Sequence, residues 1–439
     1  MRKYRKYKFR HDYKSDMLSE GIRLCLKHWK YIPTAIRTLS VVNRGNMVSW
    51  SNRDNLKIRY DYPFASKKEK DELLRRATWL CNEVIVSNPE ELIAKMPEAI
   101  GRQFQGQWAI YACSMTACAL CNLIRLYPEL KDGYIEKVAQ LIEQTDTRVI
   151  RFYDTMWWKE DAIETLDGEK SHMTYLSILA WMIGNYRLAG GDDRYNDLHK
   201  KLCDTLNRRM HASHDLNLPS FPNGVIFLPD MMFAGLALKD YDFICGETYQ
   251  ATITEWLYNL KTRYLEPKTG LLSSTIFRNL TKGRTSGAYS GLNTTGLALL
   301  DKQFSEEQLQ KLKDNLIIAF GKYAAVKEYL NRNPKLTFDI DAGPVVFGIS
   351  PSGTAFAIGA ATYLGDWELR QRLLNTAFLA GGNVRGKKCQ HYRLAEIMLT
   401  GEAITLAMRT MVNFNSPDNA SGAKYYNQYK YHNNNGSIQ

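Results

Sequence analysis

Residues 184–199 read GNYRLAGGDDRYNDLH, and this stretch decides the fold. Apolar residues recur with helical period on both sides of it, and Gly190, Gly191 and Asp192 stand between. Glycine tolerates the left-handed conformation that ends a helix, and aspartate accepts from the free N–H groups that begin one. The same punctuation returns at Gly365-Asp366, and a similar break runs from Pro128 to Asp132. One hairpin turn used three times signals an internal repeat of helix pairs.

Working outward, helical period predicts segments near 70–86, 107–127, 134–153, 172–190, 194–210, 230–244, 247–263, 287–301, 306–329, 353–364, 366–380 and 391–411. Ser66-Lys67-Lys68-Glu69 and Ser305-Glu306-Glu307-Gln308 have capping-box form. Short links alternate with long ones at 87–106, 154–171, 211–229, 264–286, 330–352 and 381–390. Antiparallel helices joined in this way put every long link at one end. Such hairpins cannot bury their apolar faces singly, and closing them in a ring does so. The expected fold is all-α: an (α/α)6 barrel of about twelve helices, a single domain over 16–414, with no sheet larger than a hairpin. The long loops form its mouth. A basic tail (1–15) and a polar, Asn-rich tail (415–439) without apolar period flank it.

Composition agrees with a globular domain: 439 residues, 45% hydrophobic and 24% charged, enough chain to bury a large core. Of the net charge of +12, residues 1–14 hold +6, with Arg2, Lys3, Arg5, Lys6, Lys8, Arg10 and Lys14 against Asp12. This run reads as a solvated tail. No recognition helix, zinc finger or RNA-binding motif accompanies it, so nucleic acid is not an expected partner. The basic start leads into no apolar signal region and no run of 18 apolar residues occurs, so neither a signal peptide nor a membrane span is expected, and the cytoplasm is the default compartment.

Cys118 and Cys121 form a CxxC with no second pair, and the cysteines read as reduced thiols on core faces rather than as disulfides or zinc ligands. Phosphate-cradling, dinucleotide and GxSxG motifs are lacking. Neither a metal nor a cofactor is expected, and the partner is a small-molecule substrate.

The candidate chemistry lies on the long links. Link 154–171 carries Trp157 and Trp158 beside Glu160 and Asp161, and leads into His172 and Tyr175. Paired aromatics offer flat walls for a sugar ring or prenyl chain, and desolvation raises the pKa of a nearby carboxylate. Link 330–352 carries Asp339 and Asp341 in apolar surroundings, suited to general acid–base work. Asp230 opens a helix and is equally good as a plain N-terminal cap. Tyr289 and Asn293 begin another among small residues, and His391 opens the last. The expected catalytic set is Asp339, Asp341, Glu160, Asp161 and Asp230. The expected substrate-binding set is Trp157, Trp158, His172, Tyr175, Tyr289, Asn293 and His391.

With GNYRLAGGDDRY at 184–195, Leu198-His199, Pro229-Asp230, Tyr264-Leu265-Glu266-Pro267-Lys268-Thr269-Gly270, Ala288-Tyr289, Asp341-Ala342-Gly343 and Leu364-Gly365-Asp366 in view, the region 107–381 resembles the linalool dehydratase-isomerase family. The resemblance implies an (α/α)6 barrel and cofactor-independent lyase or isomerase chemistry on a small hydroxylated substrate, terpenoid- or sugar-like. Phe227 and Leu228 stand where that family carries a catalytic cysteine; its site histidine falls near Ile178 and its tyrosine near Thr116. Asp230, Tyr289 and Asp341 are the mouth positions that carry over. The alternatives are a carbohydrate-active, glycosidase-like barrel enzyme and a non-catalytic binding or assembly module.

Overall fold

Segments that are apolar all round must be surrounded, and segments with one apolar stripe cover them. A computed structural model describes residues 29–54, 63–97, 101–277, 279–332 and 334–413, so both tails named above lie outside the described residues. Six helices form an inner layer: α3 (Arg102–Leu126), α6 (Met173–Leu188), α8 (Leu228–Cys245), α10 (Gly287–Leu300), α12 (Pro351–Leu364) and α14 (Leu399–Arg409). Each packs on the next in that order, and α14 packs on α3. Over α6, from Met173 to Leu188, all but Arg187 is buried. Helices α2 (Lys67–Val84), α4 (Lys131–Thr145), α7 (Asn196–His211), α9 (Gln250–Arg263), α11 (Lys302–Asn315) and α13 (Trp367–Gly381) lie against this layer. Two more helices, α1 (Ile32–Arg44) and α5 (Arg148–Trp158), stand at the end where the long links run.

The chain is therefore mostly helical, and the twelve expected segments all contain a helix. Among the described residues one helix, Phe104–Leu126, is long and apolar enough to cross a membrane, and 83% of its most apolar window is buried inside the fold.

The glycine–aspartate punctuation works as expected at Gly365-Asp366 but not at Gly190-Asp192, where Asp192 accepts from Tyr186 Oη and the Arg194 N–H and makes no cap for α7, which starts at Asn196. Gly365 ends α12 in the left-handed conformation (φ 76°), and Asp366 accepts from the Leu369 N–H at 3.1 Å. Ser66 accepts from the Glu69 N–H at 3.5 Å. The second expected capping box is corrected: Asp301 caps α11 by accepting from the Phe304 N–H, and Ser305 is buried inside that helix, donating to the Thr294 carbonyl.

Three helix boundaries also need correction. The expected helix 134–153 is two, because Thr147 starts α5 anew. The expected helix 306–329 stops at Asn315, and β4 (Ile317–Phe320) turns through Gly321 into β5 (Tyr323–Val326). β4 also pairs with β1 (Val48–Ser49), giving a three-stranded sheet where nothing larger than a hairpin was expected. The last helix begins at Leu399, since residues 383–392 form the hairpin β8 (Asn383–Arg385) and β9 (Gln390–Tyr392). The remaining two-stranded pairs are β2 (Ile226–Phe227) with β3 (Thr275–Ile276), and β6 (Leu336–Asp339) with β7 (Gly343–Val346).

A buried ionic cluster ties the first of these outer helices to the last inner one. Glu69 accepts from Arg409 at 2.6 and 2.9 Å and from Arg370 at 3.0 Å, and Glu72 accepts from Arg409 and Arg76. Arg76 in turn reaches Glu402 at 2.6 Å. The described cysteines are free: Cys81, Cys113, Cys118, Cys121 and Cys203 are buried, with burial pushing the Cys118 thiol up to about 12.

Candidate functional site

The inner helices other than α6 line, with their N-terminal portions, a cavity of about 2200 Å³ at one end of the molecule. The first half of α3 supplies Phe104, Trp108 and Tyr111, and the start of α8 supplies Asp230. The start of α10 supplies Tyr289 and Leu292, α12 supplies Phe356, and α14 supplies Ile404. The β6–β7 hairpin brings Ile340 and Asp341, and α1 lies along one side with Ile32, Ala35 and Leu39.

Aromatic rings form a connected wall. Phe104 and Trp157 have centroids 6.3 Å apart, Trp157 and Phe221 5.0 Å, Phe221 and Phe227 5.7 Å, and Phe227 and Tyr289 5.5 Å. The last three pairs are edge-to-face, so ring faces stay available to a ligand. The Trp157 indole N–H has no partner among the described residues.

Two carboxylates interrupt this apolar surface, each held by a tyrosine. Asp230 sits in the first turn of α8 behind Pro229, the second residue of the helix, and makes no capping bond there. Its carboxylate instead accepts from Tyr111 Oη at 3.3 Å and Thr174 Oγ1 at 3.0 Å. Burial pushes its pKa up to about 6, opposed by the donors Thr174, Ser220 and Tyr111.

Asp341 accepts from Tyr289 Oη. Asp341 is an exposed residue that lines the cavity, with protein packed around its carboxyl. This enclosure pushes its pKa up to about 7, with the Asp339, Asp230 and Glu328 charges adding to the rise and the Tyr289 hydrogen bond opposing it. Tyr289 and Tyr111 are themselves raised well above the ordinary phenol, first by burial and then by these carboxylates.

The position of Tyr289 rests on close backbone packing. A Cβ on Gly287 would lie 2.0 Å from the Lys327 carbonyl oxygen, and one on Gly353 would lie 2.6 Å from the Gly287 carbonyl oxygen. Only glycine lets the start of α10 meet the chain at Lys327, and lets α10 and α12 meet each other, this closely; a Cβ on Gly291 would likewise lie 2.7 Å from the Gly353 carbonyl oxygen. Glu328, fully buried, caps α10 from outside by accepting from Ser286 Oγ and the Ala288 N–H.

The expected site residues divide into two groups. Trp157, Asp230, Tyr289 and Asp341 share the cavity wall. The others do other work. Asp339 shapes the hairpin tip by accepting from the Asp341 and Ala342 N–H groups, and pairs with Arg284 at 3.2 Å. Asp161 accepts from Arg151 Nε at 2.7 Å and from the Ile163 N–H; burial would raise it, but these bonds hold it below its ordinary value. Glu160 is likewise lowered, chiefly by Lys170. The expected raised carboxylate beside the tryptophans is therefore corrected: both acids there are held low.

His172 is fully buried at φ 45°, with Nδ1 2.5 Å from Asp154 and Nε2 3.3 Å from Glu160, and Trp158 packs on its ring. It clamps the end of α5 to the start of α6. Tyr175 donates to the Thr145 carbonyl, His391 stacks on Trp79 and meets Glu396, and Asn293 is buried in α10 away from the cavity wall. Among the described residues, no three His, Cys, Asp or Glu side chains gather as metal ligands would.

Sequence reading missed Tyr111 and Glu328. Tyr111 lies in the uniformly apolar α3, where a tyrosine looks like core. Glu328 fell inside an expected helix. Compared with known proteins, the chain matches no family model and no curated protein.

Proposed function

We propose that the chain is an (α/α)6 barrel enzyme, a cofactor-independent lyase or isomerase acting on a prenyl-like allylic alcohol at the open end of the barrel. The packing of six inner helices end to end, α14 onto α3, supports the barrel reading. The resemblance of 107–381 to the linalool dehydratase-isomerase family points the same way. The observation that carries the reaction is the Tyr289–Asp341 pair on an aromatic cavity wall, its carboxyl raised to about 7.

Asp341 in its protonated form gives its proton to the substrate hydroxyl, the C–O bond breaks, and water leaves. The remaining allylic cation is steadied by the ring faces of the wall. Asp230 as carboxylate removes a proton from the carbon next to the cation, leaving a diene. Return of the water at the other allylic carbon, with its extra proton passing back to the Asp341 carboxylate, gives the isomer instead. Tyr289 and Tyr111 hold the two carboxyl groups in place through the step. The surroundings suit a hydrocarbon better than a sugar, because the wall is rich in Phe, Leu, Ile and Ala side chains and most of its surface is apolar.

A second reading, an apolar-ligand carrier, is favoured by cavity size, since about 2200 Å³ exceeds the roughly 300–1,000 Å³ of ordinary ligand sites. Incubating the full chain with allylic prenyl alcohols of increasing length in ¹⁸O-water separates the two. Dehydration or oxygen exchange by the wild type, lost in Asp341→Asn, supports the enzyme. Binding without either reaction supports the carrier.

A further inference from the structure

Helix α1 carries three distinct stripes. Its inner stripe packs on the end of α13, where Thr38 Oγ1 donates to the Leu379 carbonyl at 3.0 Å and Tyr31 Oη to the Ala380 carbonyl at 2.7 Å. A second stripe, Ile32, Ile36 and Leu39 at positions i, i+4 and i+7, is 37, 62 and 42% exposed. Arg37 and Arg44 are exposed on a third face beside it. Pro33 occupies the first turn, as it does at many helix starts.

This exposed apolar stripe borders the cavity, since Ile32 and Leu39 belong to both. Leu336 (64% exposed) and Phe277 (44%) border the same cavity, with the exposed Lys159 and Lys335 among its lining. Charge is concentrated toward the same region of sequence. Residues 1–44 hold twelve lysines and arginines against three acids, nine of the chain's net twelve positive charges. An isolated exposed leucine needs no explanation, but a stripe of them beside cationic residues at a cavity opening does.

We infer that this face docks on an anionic lipid surface, with α1 lying in the headgroup layer. Apolar side chains of the stripe enter the acyl boundary while Arg37, Arg44 and the exposed Lys30 just before α1 meet lipid phosphates. That combination of apolar face and flanking cations is the requirement for an interfacial helix. Each basic group near such a surface contributes attraction that salt weakens. Docking in this way would aim the cavity opening at the bilayer, where prenyl-like alcohols partition. The docking itself is independent of the proposed reaction, and its test uses no substrate.

The full chain is floated with phosphatidylcholine vesicles, with and without phosphatidylglycerol. Binding is expected only to the anionic vesicles and is expected to fall as salt rises. Ile36→Glu should weaken partition about tenfold or more, and Arg37→Gln with Arg44→Gln about tenfold together. Both sets of side chains are exposed, so thermal melts should match the wild type; Ile36→Ser serves if the glutamate variant does not fold. Absence of binding to anionic vesicles overturns the inference. So does undiminished binding of the Ile36 variants, which would leave the N-terminal charges as the sole contact. A wild-type dimer in light scattering that Ile36→Glu dissociates also overturns it, making a second copy the occupant.

Discussion

The phenol of Tyr289, in the first turn of α10, donates to Oδ2 of Asp341 on the β6–β7 turn, joining an inner helix to a link 52 positions away in the chain. The hydrogen bond stands at the end of the aromatic wall that begins at Phe104. Its carboxyl prefers the protonated form more than an exposed aspartate does, and its neighbour Asp230 shares the tendency to a smaller degree.

Activity should therefore depend on pH as a bell. Asp230 must be ionised, which favours pH above about 6, and Asp341 must keep its proton, which favours pH below about 7. A kcat/KM profile on the alcohol that turns over is expected to peak between those values. Asp341→Asn should lower kcat roughly 10²–10⁴-fold without lowering the melting temperature. An Asp341→Asn protein that melts far earlier yet binds and turns over normally would place this residue in the scaffold.

Asp230→Asn should stabilise the protein at neutral pH. A carboxyl whose folded pKa is raised from 3.8 to about 6 costs the native state nothing below pH 3.8 and progressively more as pH rises to about 6. Removing the charge recovers on the order of 1–3 kcal/mol above pH 6; the amide oxygen keeps one of the two hydroxyl donors, Tyr111 or Thr174, and the other hydroxyl turns to accept from the amide NH2. Thermal melts of both proteins at pH 4 and pH 8 test this: the gap should appear only at the higher pH.

The sign is opposite for the Glu69 cluster. Burial raises the Glu69 carboxyl, but Arg409 and Arg370 outweigh it and hold the pKa at about 2, against an ordinary 4.5. Its stabilisation is complete above pH 4.5 and is lost as pH falls toward 2. Glu69→Gln leaves the buried Arg409 and Arg370 short of a counter-charge and should cost roughly 3–5 kcal/mol at pH 7 by urea unfolding. At pH 2 the variant and the wild type should converge.

His172 looked like a substrate ligand from its place at a helix start, and the structure makes it a clamp. His172→Ala should lower stability by about 1–3 kcal/mol, since Asp154 then lacks its partner, and should leave ligand affinity in the folded fraction unchanged. Equilibrium unfolding and calorimetric binding on the one variant measure both.

These cases mark where sequence carries structural information. Gly365 and Asp366 were legible because backbone conformation and capping act on single residues. The strands β4 and β5 were not: apart from Ile318 and Tyr323, residues 317–320 and 323–326 are buried on both faces, and a doubly buried strand shows no alternation to distinguish it from a buried helix. Trp157 and Trp158 looked like a pair, yet successive helical side chains diverge by about 100°. One reaches the cavity and the other packs on His172. Asp230 and Asp341 were legible as acids in apolar surroundings, but their tyrosine partners come from positions 119 and 52 residues away, beyond any local pattern.

The glycine contact between α10 and α12 has a further consequence. Gly291 and Gly353 bring the two backbones into direct contact at the level of the cavity, where a Cβ on either would lie 2.7 or 2.6 Å from a carbonyl oxygen of the other helix, so no side chain separates them there. Variation in what the molecule accepts must then come from the links and from α1, whose lengths and side chains can change without moving the frame. Lineages descended from such a chain would diversify by exchanging rim segments, while the two glycines persist as the fixed jaw of the vice.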